Sequence, residues 1–163
     1  GRGNMSVLKQ EFAMIGRVLG TEKEASALLS SWDVHLTRIQ DRVSAIPADQ
    51  RKKVYYMNGK LGSTDGSGWW GQEFITAAGG INVAGEMGTV QETTVEQIIA
   101  WNPDVIIVPE RSKLKELLMS NRVMSHARAI KSGSVHYVPG VYLRAASQYM
   151  LLSADVLAGI IYR

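Results

Sequence analysis

The residues best suited to chemistry in this 163-residue chain are a run of glycines and hydroxyls that ends on two adjacent tryptophans, Gly62-Ser63-Thr64-Asp65-Gly66-Ser67-Gly68-Trp69-Trp70. Glycine lets a backbone approach a ligand closely. The helix expected after the run would offer its amino terminus, which favours anions. Trp69 and Trp70 point in different directions, so both cannot face one core. At least one is then free to act as a platform for a planar or apolar ligand. The run lacks the Gly-Lys-Ser/Thr of a Walker loop. The plainer alternative is a flexible loop, with one tryptophan buried and the other half covered.

A second candidate is Pro139-Gly140-Val141-Tyr142-Leu143-Arg144. Tyr142 could stack on a ligand or ligate iron. The planar fork of Arg144 suits a carboxylate or a phosphate. Against this stands a tyrosine packed on the closing helix and a solvated arginine.

Sets of residues for catalysis are thin. The histidines are His35, His126 and His136, and no two stand at metal-ligand spacing. There is no His-Glu-x-x-His and no Gly-x-Ser-x-Gly elbow; Ser67, between Gly66 and Gly68, lacks the strand-to-helix setting of a nucleophile. The absence of cysteine excludes thiolate chemistry and disulfides. No catalytic residue, metal ligand or cofactor is therefore assigned.

The elements that must position these loops follow from periodicity. Apolar residues at helical spacing predict a helix from Val7 to Leu19, stopped by Gly20. Thr21 with Glu24 reads as a capping box opening a long helix to about Ile46. Its stripe runs Ala25, Leu28, Leu29, Trp32, Leu36, Ile39 and Val43. Such a helix is roughly 36 Å long, about the width of a small domain. Strands are predicted at Lys53–Met57, Asp104–Val108 and Ser134–Val138. Helices are predicted at Trp69–Ala78, Thr93–Trp101, Ser112–Ser120, Arg122–Ile130 and Ser147–Tyr162.

Strands alternating with helices imply an α/β fold. We expect three layers, with a mostly parallel sheet of three or four strands flanked by helices and a long N-terminal spine helix. The chain divides into a cut end or tag remnant plus a short helix (1–20), the long helix (21–46) and an α/β lobe (47–163). In an open parallel sheet ligands meet the carboxyl ends of the strands. The loops at 58–70, 109–113 and 139–147 lie there.

Composition bounds the rest. With 45% hydrophobic and 20% charged residues, the chain has enough apolar surface for one ordinary core. The net charge of +3 is spread, apart from Arg51-Lys52-Lys53 and the stretch from Lys113 to Lys131. No basic stripe is interleaved with aromatics, so no nucleic-acid partner is expected. No apolar run reaches transmembrane length and no signal peptide opens the chain.

Thr94-Val95-Glu96-Gln97-Ile98-Ile99-Ala100-Trp101-Asn102-Pro103-Asp104-Val105-Ile106-Ile107-Val108 resembles a motif of the periplasmic siderophore, haem and cobalamin binding proteins that serve ABC importers. Leu19-Gly20-Thr21-Glu22-Lys23-Glu24-Ala25 and Gly79-Gly80-Ile81-Asn82-Val83-Ala84 are similar to two further stretches of that family, in the same order. The resemblance implies two α/β lobes joined by one rigid helix, with ligand in the cleft between them. This chain would hold the connecting helix and the C-terminal lobe, and its own N-terminal lobe would be a partner.

By position, the resemblance implies that Glu96 docks on the membrane permease. The rival local reading makes Glu96 the third helical residue of a capping box on Thr93. It also implies ligand contacts near Gly68, Trp69, Trp70, Gln91 and Tyr142. Val90 stands where the cobalamin-binding member has tryptophan, which argues against cobalamin.

The expected function is capture of an iron-siderophore-like metal chelate and its delivery to the permease, outside the cytoplasm, by a periplasmic or lipid-anchored protein that is not an enzyme. Haem (with Tyr142 as axial ligand), cobalamin, and a molybdate-type oxyanion held by Thr64, Ser67 and Arg144 are the alternatives. Two readings come from other classes. A doubly wound nucleotide-binding enzyme would need a Gly-x-Gly-x-x-Gly turn, which the loop lacks. A partner-binding module would bury Trp69 and Trp70 in an interface.

Overall fold

Two helices, α1 (Met5–Leu19) and α2 (Glu22–Ser44), open the computed structural model, which describes residues 5–89, 92–110, 113–140, 142 and 150–163. The turn between them needs Gly20, whose φ is +67°. The helices cross tightly where Gly16 faces Ala25; a Cβ on Gly16 would lie 2.5 Å from that of Ala25. Phe12 meets Trp32 edge-to-face with ring centroids 5.0 Å apart. The expected capping box at Thr21 does not form. Thr21 sits at the N-cap, but its ψ of 40° is far from the extended cap conformation and its side chain makes no capping bond.

A four-stranded sheet follows, ordered β2-β1-β3-β4 and parallel throughout. Its strands are β1 (Lys53–Tyr56), β2 (Ile81–Asn82), β3 (Val105–Pro109) and β4 (Val135–Val138). The helices between and after them are α3 (Trp70–Ala77), α4 (Val95–Trp101), α5 (Leu114–Ser120), α6 (Arg128–Lys131) and α7 (Met150–Ile161).

Alternate residues of each strand feed opposite faces, as the two-residue period requires. Val54, Tyr56, Val105, Ile107 and Val138 pack with Leu8 of α1, Trp32 of α2, Phe74 and Ile75 of α3, and Leu157 and Ile161 of α7. Tyr55, Met57, Ile106, Val108 and Val135 pack with Ile98 of α4, Leu118 of α5, Met124, and Ala129 and Ile130 around α6. The result is the expected three-layer α/β arrangement. The helices before residue 47 lie on this core and share it with the sheet.

Three local departures have physical causes. β2 has only two residues, too short to show a period, and it adds a strand to the three predicted from periodicity. Met57 leaves β1 to bridge Thr64. The helix expected over 122–130 is broken. A single 3-10 turn spans Met124–His126, and Ala127 is extended at φ −66° and ψ 139° before α6 begins. Asn102 stabilises that break. It holds a left-handed φ of 48°, and its Oδ1 accepts the Arg128 N–H at 3.0 Å.

Candidate ligand-binding site

From β1 the chain crosses through α3 to β2 on one side. From β3 it crosses through α5 and α6 to β4 on the other. Strand order therefore reverses between β1 and β3. A crevice is expected outside the carboxyl ends of those two strands.

The loop leaving β1 there is pinned. Met57 N–H donates to Ile107 O at 2.9 Å, Asn58 N–H to Ser63 O at 2.9 Å, and the Tyr55 hydroxyl to Ser63 O at 3.3 Å. Asp65, nearly buried, is its anchor. One carboxylate oxygen accepts from Asn58 Nδ2 and the other from Gly71 N–H, each at 3.0 Å. Asn82 Nδ2 donates to Asp65 O and to Gln72 Oε1, both at 2.8 Å, which ties the loop to β2 and α3. Gly71 is required: a Cβ there would come within 2.7 Å of the Asp65 Cβ and of the Tyr56 ring. Burial pushes the Asp65 carboxyl up, against the lowering effect of the two hydrogen bonds.

This anchor changes the expected electrostatics. The amino terminus of α3 already faces a carboxylate of the chain itself, so it is not a vacant anion site. Thr64 is fully buried and its hydroxyl has no partner among the described residues, so it does not face the crevice as an oxyanion donor. Ser67 and Gly68 are exposed at the loop crest, with Gly68 at φ +86°.

The tryptophans diverge as their adjacency predicts, and neither is fully buried. Trp69 N–H donates to Thr89 O at 3.3 Å. Trp70 stacks on Phe74 at 5.9 Å and packs against the α3–α7 face of the core. Tyr142 is half-buried against that same cluster, and its carbonyl accepts a hydrogen bond from Ser153. Trp70 and Tyr142 thus both pack against the same hydrophobic cluster, while Ser67 and Gly68 are exposed and Trp69 is half-buried. Gln91 and Arg144, with Val90, lie outside the described residues. Sequence reasoning missed Asp65, Asn82 and Gln72. The signal available was an aspartate inside a glycine-rich turn just ahead of a helix, a position where carboxylates commonly cap.

Glu96 stands apart, fully exposed on the second residue of α4. The N-cap is Thr94, whose hydroxyl accepts the Gln97 N–H at 3.2 Å, so the capping box does not rest on Thr93. A register one residue later puts Gln97 at the third helical position. The carboxylate of Glu96 accepts from its own backbone N–H and from the Thr94 hydroxyl. These bonds lower its pKa below the usual glutamate range. Among the described residues no group of three acidic or histidine side chains could hold a metal ion. His35 pairs with Asp155 at 2.7 Å, His126 is exposed, and His136 is half-buried on β4.

A family model described as periplasmic binding protein matches residues 2–142. The molybdate-binding protein MolA of Haemophilus influenzae is 27% identical over 134 residues, which are 81% of this chain and 38% of MolA. The structure of MolA bound to molybdate superposes with a TM-score of 0.79 at 25% identity, covering 95% of this chain and 49% of that one. YvrC of Bacillus subtilis, described as an uncharacterized ABC transporter substrate-binding lipoprotein, is 25% identical over 161 residues, 98% of this chain and 51% of YvrC. A possible iron-binding (periplasmic solute-binding) protein from Staphylococcus epidermidis shares the fold, with a TM-score of 0.85 at 17% identity over all of this chain and 64% of that one. This chain spans about half the length of the curated relatives it matches. With the family model covering most of its length, and with a parallel sheet whose strand order reverses beneath an anchored glycine-tryptophan loop, the chain belongs to the periplasmic binding protein family.

Proposed function

We propose that this chain forms one half of the substrate-binding component of an ABC importer and walls one side of its ligand cleft. It captures cargo outside the cytoplasm and carries out no catalysis. Its partners are the rest of a relative-length protein and the membrane permease. Glu96 is the docking group, an exposed carboxylate held ionised on the face of the molecule opposite α1 and α2.

The cargo read best by the geometry is a metal chelate with an organic, partly apolar body, such as a ferric siderophore. The observation that carries this is that Trp70 and Tyr142, from two loops at the carboxyl ends of the strands, are each half-buried against the same hydrophobic cluster. The helix terminus beside them is taken by Asp65. Ligand clefts of this kind derive most of their contact from aromatic surface and orientation from a few polar groups. Here the polar groups are Ser67, the Gly68 backbone, Gln91 and Arg144. A molybdate-type oxyanion is the second reading, supported by the likeness to MolA. It would rely on Ser67 and Arg144, since Thr64 is buried.

The test is tryptophan fluorescence of a chain extended to the relatives' length, titrated with ferric siderophores, haem, cobalamin and molybdate. Of the four tryptophans, Trp32 is in the core and Trp101 packs beside Tyr55 at the end of α4, so the Trp69→Ala and Trp70→Ala variants separate the loop's signal from theirs. Quenching by a ferric siderophore, weakened at least about tenfold in Trp70→Ala, is the expected result. A response to molybdate alone would transfer the assignment to the second reading. Silence towards the whole panel would end the cargo proposal.

A further inference from the structure

The end of the sheet opposite the glycine-tryptophan loop carries a cavity. It holds about 480 Å³, and its charged lining comes from Asp49, Arg51, Lys52, Asp104 and Arg128, with Gln50 and Tyr162 beside them. Arg51 and Lys52 immediately precede β1 and Asp104 precedes β3, so the site is built at the amino ends of the two central strands.

The charges there do not cancel. Asp104 is fully engaged: one oxygen accepts the Lys53 N–H at 2.8 Å and the other is bound by the Arg128 guanidinium. The Tyr162 hydroxyl donates to Gly79 O at 2.7 Å. Arg51 and Lys52 make no salt bridge among the described residues. Arg51 is half-buried, and its Nε is closed off from solvent with no acceptor. A buried donor without a partner is costly, and Arg51 Nε has no hydrogen-bond acceptor among the described residues. Opposing the two cations are the exposed Asp49 and the carboxyl end of α2, worth about half an elementary charge; Asp104 also attracts Lys52, but its charge is matched by Arg128. Positive charge is left in excess inside a concave site.

We propose that this cavity binds a small free oxyanion, a phosphate or a carboxylate, with Arg51 as its direct partner and Lys52 as the charge at its rim. The guanidinium fork matches either anion in two-point contact. The volume leaves room for a small organic body attached to the anionic group. The site lies at the far end of the sheet from the ligand loops, so it stands or falls independently of the cargo.

Thermal unfolding of this chain and the arginine Nε–H resonances would be followed against inorganic phosphate and against citrate, with ionic strength held by sodium chloride. A parallel arm uses phosphatidylglycerol vesicles. The expected result is a saturable rise in Tm with a matching shift of the Arg51 Nε–H signal in free phosphate or citrate. Arg51→Gln and Lys52→Gln should each weaken it at least about tenfold, and Lys113→Gln, at the other end of the sheet, should not. Should Arg51→Gln fail to fold, Lys52→Gln decides, because that side chain is exposed. No saturable response to either anion, or a response indifferent to both variants, overturns the proposal. Binding to vesicles without binding to free anions overturns it too, and assigns the charge to a lipid surface.

Discussion

At the residue scale the ligand loop depends on Asp65. Its carboxylate stands in for a capping group, holding Asn58 on one oxygen and the first turn of α3 on the other. Burial raises its pKa in spite of those bonds. The native chain therefore binds this proton more tightly than the unfolded chain does. The stability this group contributes is fully present below its unfolded pKa and is lost as pH rises through its folded value. A carboxyl-carbon NMR titration should place Asp65 above the usual aspartate range, with the Gly71 amide shifting in the same step. Titration of Asp65 at or below the ordinary value would show that the two hydrogen bonds outweigh desolvation. The residue was not legible beforehand because its role depends on Asn58, Gly71 and Asn82, contacts that only the fold brings together. The divergence of Trp69 and Trp70 was legible, because adjacent side chains cannot share one face.

At the element scale the α1–α2 pair is part of the lobe's own core. Trp32 is almost fully buried and touches both Phe12 of α1 and the cluster beneath the sheet. Trp32→Ala should cost about 3–5 kcal/mol in chemical denaturation, the range for a large aromatic removed from a core. A cost below about 1 kcal/mol would mean that the helices fold as a separate unit. Long elements were readable from the sequence: the stripe on α2, the β-branched run of β3, and the alternation that implied a parallel sheet. Short ones were not. β2 pairs through only two residues, and its place at the sheet edge is set by pairing with Lys53 and Val54 rather than by its own pattern. The capping residues slipped for a related reason. Thr93-Thr94 offers two adjacent hydroxyls, and backbone geometry chooses the second. At Thr21 the tight turn after Gly16 and Gly20 sets a dihedral that the cap cannot use.

At the scale of the whole molecule, the proposed reading puts two functions on different parts of the sheet. Aromatic and glycine residues stand in the loops at the carboxyl ends of the strands, where the proposal places the cargo. Glu96 projects from α4, on the opposite layer from α1 and α2. Its carboxylate is exposed and held ionised by the amino end of its own helix. Such a group adds little to the fold, since an exposed substitution seldom moves stability by more than about 0.5 kcal/mol. Reversing its charge should therefore leave folding and cargo affinity as they are while opposing a cationic docking surface, where like charges cost several kcal/mol. In a relative-length protein reconstituted with its importer, Glu96→Lys should reduce transport at least about tenfold, with cargo affinity and Tm unchanged. Rescue by a compensating acidic substitution on the permease would identify the partner directly. Transport at the unmutated rate would remove Glu96 from the docking surface and leave Thr94 and Glu96 as a local helix cap. Loss of cargo binding in the same variant would move Glu96 into the cleft, at odds with its place on the far layer of the sheet.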